Sequence, residues 1–245
     1  RPQLMNITIY TMSYNEEKVL PFFLDHYSKF ATRVVIYDNE STDNTVKIAK
    51  EHPLVKEIYS VKTGDSFDES IQVKIKNSCW EKDTSDYVMI VDTDELIYHE
   101  DGIVNYIKSN EQPVYRCIGY NMISESFPKG GESITSQIKS GVFDRMYCKP
   151  VIFNPNIITK ADFEPGLHNG RFYNETSEFI SKESELKMLH YKNIGFKYRI
   201  DRHKMFSKRM SEYNKTTGAC IHCTWDTKTQ KAEFDDILAR SSKII

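Results

Sequence analysis

The sequence has no long apolar run and no excess of positive charge, and each absence excludes a class of protein. No stretch approaches the ~20 consecutive apolar residues that a membrane-spanning helix needs. Its 33 Lys and Arg against 35 Asp and Glu give a net charge of −2, whereas a general nucleic-acid-binding domain normally carries a strong basic excess. We therefore expect neither a transmembrane helix nor a nucleic-acid partner.

Cysteine is too scarce and too irregularly spaced for a disulfide framework. The five cysteines are an odd number, which indicates a reducing compartment and hence a cytoplasmic protein. Two of them form a lone Cys-x-x-Cys over residues 220–223 (Cys-Ile-His-Cys). Without a second pair of ligands this motif is a weak signal for zinc or redox chemistry, and an incidental origin is the simpler interpretation.

The chain also lacks a signal-peptide pattern at its start. Because it begins at Arg1 rather than at methionine, we expect it to be part of a longer sequence. Its 245 residues suit one large α/β domain with a C-terminal elaboration. No repeat, low-complexity tract or linker divides it, so we predict a single domain over residues 1–245.

Strand and helix signals alternate through the first half of the chain. The predicted strands are 6–12, 33–37, 55–61 and 87–91, and the predicted helices are 16–30, 44–52 and 70–82. Such alternation predicts a Rossmann-like α/β fold, with a mainly parallel central sheet and helices on both faces.

The pattern loosens after Gly102. Residues 124–140 are rich in Ser, Gly and charge, and a polar loop at this place predicts a mobile lid. The remaining predicted elements are strands at 114–120, 149–153 and 186–191 and helices at 196–213 and 230–242.

The most informative segment is residues 87–95, an apolar run that ends in three carboxylates. A strand here delivers Asp92 and Asp94 to the edge of the sheet, where ligands collect in α/β proteins. Hard cations such as Mg²⁺ or Mn²⁺ take oxygen ligands and enter with phosphate-bearing substrates. A strand end followed by solvated acids is the alternative, but polar residues at 13–16 and 38–39 follow two further strands and point to the same crevice.

Together these segments resemble a known family. In order and spacing they are similar to the nucleotide-sugar half of GT-A glycosyltransferases, most of all family 2 and its relatives with an Asp-Asn-x-Ser-x-Asp motif. The segments are Tyr14-Asn15-Glu16-Glu17, Asp38-Asn39-Glu40-Ser41-Thr42-Asp43, Lys76-Asn77 with Trp80, and Asp92-Thr93-Asp94-Glu95. The resemblance implies a nucleotide-sugar-binding half over residues 1–112 and an acceptor-binding half with C-terminal helices over residues 113–245.

The C-terminal half resembles the family more loosely. Its matching segments are Lys149-Pro150-Val151, Gly166-Leu167-His168 and Leu189-His190-Tyr191, which resemble the tail of several small GT-A enzymes. In those enzymes a C-terminal histidine often completes the metal site. The Glu-Asp pair that many family 2 members carry in the acceptor region has no counterpart here, which leaves the catalytic base open.

The resemblance implies transfer of a sugar, with inversion, from a nucleoside-diphosphate sugar to a hydroxyl of a glycan or lipid-linked acceptor. Because members of the family usually use UDP-linked sugars, the resemblance implies UDP as the nucleotide. It also implies Mn²⁺ or Mg²⁺ as the cofactor. Asp94 is the expected metal ligand, and Asp92 holds the ribose or a metal-bound water. Glu95 is expected to point away, with a role behind the metal ligands or toward the acceptor as the alternative. His190 ranks ahead of His168 as the histidine ligand because it ends a strand facing a basic helix; a core histidine is the alternative.

The resemblance also assigns residues to the donor nucleotide. Asp38 resembles the carboxylate that reads the base or ribose, although it could instead cap the following helix. Tyr14 and Thr11 are expected to line the nucleoside, with Tyr14 stacking on the base. Lys76 resembles a basic residue that approaches the diphosphate, with a solvent-facing lysine as the alternative, and Glu16 belongs to the same nucleotide-binding set.

The catalytic base has three candidates. Inversion requires a carboxylate that takes the acceptor proton on the side of the sugar opposite the diphosphate. Glu164 is the first candidate, Asp162 the second and Asp144 the third, and for each an ordinary loop acid is the alternative.

A basic segment over residues 197–209 has three interpretations: a solvated helix face, a diphosphate contact, or contact with an anionic membrane surface. The last implies a cytoplasmic protein that is peripheral at a membrane. Two rival functions remain open. A nucleotidyltransferase has a similar sheet but normally a Gly-rich loop after its first strand, and residues 12–17 contain no glycine. A non-catalytic nucleotide-sugar-binding module would need no base.

Overall fold

Strands and helices alternate through most of the chain. The structure, a computed structural model, describes residues 5–245, so the expectation drawn from Arg1 lies outside the described residues. The strands in this range are β1 (Ile7–Ser13), β2 (Arg33–Asp38), β3 (Val55–Ser60), β4 (Tyr87–Ile90), β5 (Glu95–Tyr98), β6 (Val114–Ser124), β7 (Ser140–Phe143), β8 (Ile152–Phe153), β9 (Lys160–Phe163), β10 (Gly170–Tyr173), β11 (Glu178–Phe179), β12 (Lys182–Ile194) and β13 (Ser242–Lys243). The helices are α1 (Leu20–Tyr27), α2 (Thr45–Glu51), α3 (Glu69–Ser78), α4 (Ile103–Ser109), α5 (Ile134–Gln137), α6 (Phe196–Arg209), α7 (Glu212–Thr217) and α8 (Thr227–Arg240).

The larger sheet is mixed and mainly parallel. Its order is β13-β7-β6-β8-β4-β1-β2-β3, and β12 pairs with both β6 and β5. Strand β1 is parallel to β2 and β4, and β2 is parallel to β3. Strand β8 is antiparallel to its neighbours β4 and β6. The predicted α/β fold with a mainly parallel sheet and C-terminal helices is confirmed.

The central strands of the sheet lie in the core of the protein. Every residue of β1 and of β4 is buried. A strand covered on both faces favours near-continuous apolar side chains. The sequence YVMI of β4 meets this condition, whereas ITIYTMS of β1 also buries two threonines and a serine. The polar residues that come directly after these strands therefore lie at the sheet edge.

Two parts of the fold differ from the sequence-based expectation. Strand β12 runs over Lys182–Ile194, so His190 lies inside the strand rather than at its end. Residues 160–179 contain a separate antiparallel sheet in the order β11-β10-β9. Its strands are only two to four residues long, too short to show a period in the sequence.

Helix α6 divides its charges between two faces. Three arginines turn inward, Arg199, Arg202 and Arg209. Three lysines are exposed, Lys197, Lys204 and Lys208. Of the interpretations of residues 197–209, a solvated helix face therefore fits the lysines but not the arginines. Contact with a membrane stays a prediction. None of the helices within residues 5–245 has the length and apolar character needed to cross a bilayer.

Candidate functional site

A cavity of about 660 Å³ opens at the carboxyl ends of β1, β2 and β4. The cavity wall contains residues from the end of each of these strands. Ser13 is the last residue of β1, Asn39 directly follows β2, and residues 92–95 follow β4. The volume lies within the range of pockets for small molecules and cofactors, which are ~300–1,000 Å³. The predicted convergence of three strand ends on one crevice is confirmed.

Two hydrogen bonds hold the acidic turn after β4 (residues 92–95) in place, one within the turn and one from strand β12. Glu95, predicted to point away, is buried, and its Oε2 accepts a hydrogen bond from the Asp92 backbone N–H at 3.0 Å. Tyr191 of β12 donates its backbone N–H to the Asp94 carbonyl oxygen at 2.8 Å. Pairing of β12 with β5 therefore fixes the position of the whole turn.

Two lysines neutralise two of the acids. Lys76 Nζ lies 2.7 Å from Asp92 Oδ1, and Lys149 Nζ lies 2.6 Å from Glu95 Oε1. Burial alone would lower the pKa of Lys76, but the carboxylates of Asp92, Glu69 and Glu95 together outweigh it and raise that pKa. Lys76 is buried, so the solvent-facing alternative is excluded. It lies behind Asp92 and does not line the cavity.

One guanidinium serves two buried carboxylates. Arg202 of α6 places Nη1 2.7 Å from Asp94 Oδ2 and Nη2 2.6 Å from Glu16 Oε1. Burial opposes ionisation of Asp94, but Arg202 and His190 hold its pKa well below the usual range. Burial raises the pKa of Glu16 to about 8, against the pull of Arg202 and with the added repulsion of Asp94. At neutral pH Asp94 is ionised and Glu16 retains a proton.

This proton predicts a pH-dependent effect of Glu16→Gln. An unfolded glutamate loses its proton near 4.5 and the folded one near 8, so its contribution to stability is complete below about pH 4.5 and is lost as the pH rises through 8. Glutamine does not titrate, and its oxygen can still accept from Arg202. Without added metal, the variant should match the wild type at about pH 4.5 and melt several degrees higher at about pH 9, since 1 kcal/mol shifts the melting temperature by roughly 2–4 °C. Exposed Glu51→Gln is the control, and a pH-independent difference for Glu16→Gln would contradict the assignment.

His190 and Asp94 form a pair of donor atoms that fits a cation. His190 Nε2 lies 3.2 Å from Asp94 Oδ2, and its Nδ1 lies 3.0 Å from Asn121 Oδ1. Asn121 donates its amide Nδ2 to Asp144 at 2.5 Å, so its oxygen faces the imidazole and Nδ1 carries the proton. A proton on Nε2 can bridge the ring to the carboxylate, and a divalent cation would take the place of that proton between the two atoms. Ligand atoms that share an ion at metal bonds of ~2.0–2.2 Å are about 3 Å apart, so the pair fits a divalent cation.

Strand register and packing orient the His190 ring. In the sheet His190 lies opposite Glu95 of β5 and Asn121 of β6. Tyr147 stacks on the imidazole, with ring centroids 4.0 Å apart and planes at 30°. The turn that carries Tyr147 can lie on β6 because Gly119 has no side chain; a Cβ there would come within 2.2 Å of the Tyr147 backbone. Asn121, Tyr147 and Gly119 carry no motif that could reveal them in the sequence.

His168 is placed differently. It lines the same cavity, and its Nδ1 lies 2.5 Å from the Met146 carbonyl oxygen. Of the two predicted histidines, His190 is the one that the structure brings into contact with Asp94.

Two buried oxygens at the ends of β1 and β2 have no protein partner among residues 5–245. They are Ser13 Oγ and Asp38 Oδ1, and these two residues are neighbours in the parallel register. The other Asp38 oxygen accepts from the Ser41 N–H at 3.1 Å. Asp43, not Asp38, accepts from the Thr45 N–H at the start of α2. An unsatisfied buried polar group costs ~1–3 kcal/mol. Ser13 lines the cavity, whereas Asp38 does not.

Of the two other residues predicted to contact the nucleoside, Tyr14 lines the cavity and Thr11 does not. Tyr14 lines the cavity, and the Arg209 guanidinium lies 3.2 Å from its ring centroid, so one face of the ring is already covered. Thr11 is buried and its hydroxyl donates to the Met12 carbonyl oxygen at 3.4 Å. Thr11 does not line the cavity.

The three candidate bases also separate. Asp144 lines the cavity. Glu164 is exposed outside it, with Oε2 accepting from Asn169 at 3.2 Å. Asp162 is likewise exposed and pairs with Lys160 at 2.8 Å. Of the three candidate bases, Asp144 is therefore the one that lies in the cavity wall.

Comparison with known proteins places this geometry in context. The sequence model of glycosyl transferase family 2 matches residues 8–134, just over half of the chain. A search of curated proteins found no match.

Several solved structures are similar to the chain at low identity. One is Staphylococcus aureus TarS 1–349, at 14% identity and a TM-score of 0.43, covering 84% of this chain and 65% of that one. The complex of the same fragment with UDP-GlcNAc gives 14% identity and a TM-score of 0.42, covering 84% of this chain and 66% of that one. Glucosyl-3-phosphoglycerate synthase from Mycobacterium tuberculosis, with Mn²⁺, UDP and phosphoglyceric acid, gives 14% and 0.40, covering 67% and 61%. The chain therefore spans 65% of the length of the first of these structures.

Proposed function

Because the chain belongs to glycosyl transferase family 2, we propose that it transfers a sugar from a nucleoside-diphosphate sugar to an acceptor hydroxyl, with inversion and with the help of Mn²⁺ or Mg²⁺. The observation that carries the proposal is the contact of Asp94 with His190 at 3.2 Å in the wall of a cavity at the strand ends. This contact places a carboxylate oxygen and an imidazole nitrogen, both suitable as metal ligands, side by side in the wall of a cavity that a diphosphate can enter.

The roles of the residues around this contact follow from their geometry. Asp94 and His190 would hold the cation, which when bound neutralises charge on the leaving diphosphate. Asn121 keeps the proton of His190 on Nδ1 and so leaves Nε2 free to bind. Asp92, held by Lys76, is assigned to the ribose or to a metal-bound water.

The two unsatisfied oxygens support a nucleoside at the ends of β1 and β2. Asp38 Oδ1 can accept from the imide of uracil or from a ribose hydroxyl, and the Ser13 hydroxyl can donate or accept. Both groups are compatible with the uracil and ribose of UDP, which is the nucleotide that we propose. A thermal-shift screen of UDP, GDP and dTDP and their sugars, with and without Mn²⁺, should show the largest rise in melting temperature for UDP compounds with Mn²⁺. The absence of any nucleotide response would contradict the proposal.

The division of the chain into halves is part of the same proposal. Residues 1–112 would bind the donor and residues 113–245 the glycan or lipid-linked acceptor, within a single domain. The pairing of β12 between β5 and β6 supports one domain, because it joins both halves in one sheet.

The two histidines can be separated by metal affinity. His190→Ala should weaken activation by Mn²⁺ by at least about tenfold, because it removes a ligand atom and not merely a neighbouring group. His168→Ala should weaken it less, since its ring contacts the Met146 carbonyl. Activity measured against Mn²⁺ concentration gives both values. The reverse order would exchange the two assignments.

Asp144 is the base that the cavity favours over Glu164 and Asp162. Asp144→Asn should lower kcat by ~10²-fold or more, in the range of general-base contributions, while Glu164→Gln and Asp162→Asn should retain most activity. Because Asp144 also contacts Asn121, Mn²⁺ activation should be measured in parallel; an unchanged metal requirement separates a base from a residue that only orients His190. A larger loss in Glu164→Gln would restore Glu164 as the base.

A further inference from the structure

The structure brings together a second group of metal-binding side chains. Among residues 5–245, the atoms of His203, His222 and Cys223 that could bind a metal all lie within 4.8 Å of one another. We propose that these three residues form a second metal site, which takes Zn²⁺ or a similar borderline divalent cation and is distinct from the site at Asp94. The proposal goes beyond sugar transfer and does not depend on it.

Folding supplies the ligand that the Cys-x-x-Cys motif lacks in the sequence. His222 and Cys223 belong to a short 3-10 turn, Ile221–Thr224, that packs on α6. His203 lies on α6 and is 19 residues earlier in the chain. Cys220, the first cysteine of the motif, is not part of the cluster.

The His203 ring is held in the tautomer that a metal requires. Its Nδ1 lies 2.6 Å from Gln230 Oε1. Gln230 donates its Nε2 to the Trp225 carbonyl oxygen at 2.8 Å, so its Oε1 is the end that faces the imidazole. His203 therefore carries its proton on Nδ1 and leaves Nε2 with a free lone pair. A polar partner on the second ring nitrogen is the usual arrangement for a metal-binding histidine.

The ligand atoms themselves are not used within the protein. Among the described residues, His203 Nε2, both ring nitrogens of His222 and Cys223 Sγ make no hydrogen bond, although His203 and Cys223 are buried. Metal binding takes the neutral imidazole and the deprotonated thiol, so an ion at this site would displace the thiol proton of Cys223.

The kinds of ligand select the metal. Two imidazoles and a thiolate suit Zn²⁺, whereas Mn²⁺ and Mg²⁺ prefer oxygen. A tetrahedral zinc ion with Zn–N of ~2.0–2.1 Å and Zn–S of ~2.3 Å holds these atoms about 3.3–3.6 Å apart. The three atoms lie within 4.8 Å of one another, so they would draw closer together on binding the ion. All three residues line the cavity, so a water molecule can take the fourth position.

The ion would fasten the 3-10 turn to the helix that carries Arg202. Arg202 directly precedes His203 and contacts Asp94 and Glu16. A metal bridge between α6 and the turn would therefore fix one wall of the cavity beside the acidic turn. We assign the ion this positioning role.

Cobalt binding tests the proposal on the full chain. After removal of metals with a chelator, Co²⁺ should bind with one equivalent giving a cobalt–thiolate charge-transfer band, and Zn²⁺ should displace it. Cys223→Ser should abolish the band, and His222→Gln should weaken Co²⁺ binding at least about tenfold, because each removes a ligand. Zn²⁺ should raise the melting temperature of the wild type but not that of Cys223→Ser.

Three control variants separate this site from its surroundings. Cys79→Ser removes a thiol elsewhere in the fold, Cys220→Ser removes the other cysteine of the motif, and Asp94→Asn disables the proposed donor site; all three should keep the band. The proposal is overturned if the wild type shows no band, if Cys223→Ser keeps it, or if Cys220→Ser or Asp94→Asn loses it. None of these readouts needs a sugar donor, so they stand whether or not sugar transfer is found.

Discussion

Asp94→Asn is expected to abolish metal-dependent turnover of a nucleoside-diphosphate sugar, with a loss in kcat on the order of 10³-fold or more. Asparagine keeps the shape of the side chain but removes the charge that faces His190 and Arg202. The amide is a weaker ligand for a hard cation than a carboxylate. Release of the nucleoside diphosphate in the presence of Mn²⁺ measures the effect.

The matched control is Asp101→Asn, which removes an exposed acid shortly after β5. It should retain activity close to that of the wild type. Melting temperatures of both variants show whether the loss at Asp94 comes from chemistry or from unfolding. A variant at Asp94 that keeps activity within about tenfold of the wild type would refute its role as the metal ligand.

Arg202→Met is expected to destabilise the protein by about 3–5 kcal/mol, the cost of leaving one partner of a buried ion pair without the other. The Arg202 side chain is 12% exposed and bridges Asp94 and Glu16. Methionine has a similar length but leaves the Asp94 carboxylate buried without its cation and the Glu16 carboxyl group without its hydrogen-bond donor. The midpoint of urea unfolding measures the loss.

Lys197→Met provides the control on the same helix. Lys197 pairs with Asp201 at 2.7 Å, but its side chain is 88% exposed, and exposed pairs contribute about 0–1 kcal/mol. Adding Asp94→Asn to Arg202→Met should recover part of the stability, because the buried charge of Asp94 is then removed as well. Equal stability of Arg202→Met and Lys197→Met would show that the bridge contributes little.

Local patterns in the sequence predict much of the sheet and the position of the acidic turn. Strands β1, β2, β3 and β4 lie within a residue or two of their predicted bounds, because β-branched and aromatic residues are concentrated in these segments. The rule that ligands collect at the carboxyl ends of such strands then locates Asp92 and Asp94 in the cavity wall.

Contacts between distant segments could not be predicted in this way. Arg202 is 108 residues from Asp94, and Asn121 is 69 residues from His190. Periodicity shows which face of a helix or strand is buried, but not which acid an inward arginine meets. His203 and Cys223 illustrate the same limit, since the motif at 220–223 looks incidental until α6 brings a third ligand to it.

The nucleoside edge was predicted only in part. Asp38 was identified from its motif, and the structure adds that its Oδ1 and the neighbouring Ser13 Oγ lack protein partners among the described residues. Tyr14 was expected to stack on a base, but Arg209 covers one face of its ring. The sequence could not show this contact because it joins the end of α6 to the turn after β1.

Calorimetric titration of UDP with and without Mn²⁺ tests most directly whether the cavity holds a nucleoside diphosphate together with a cation at Asp94 and His190. UDP should bind the wild type in the presence of Mn²⁺ and lose most of its affinity when EDTA removes the metal, and His190→Ala should reproduce that loss with Mn²⁺ present. Equal affinity for UDP with and without Mn²⁺, or no binding under either condition, would contradict the assignment.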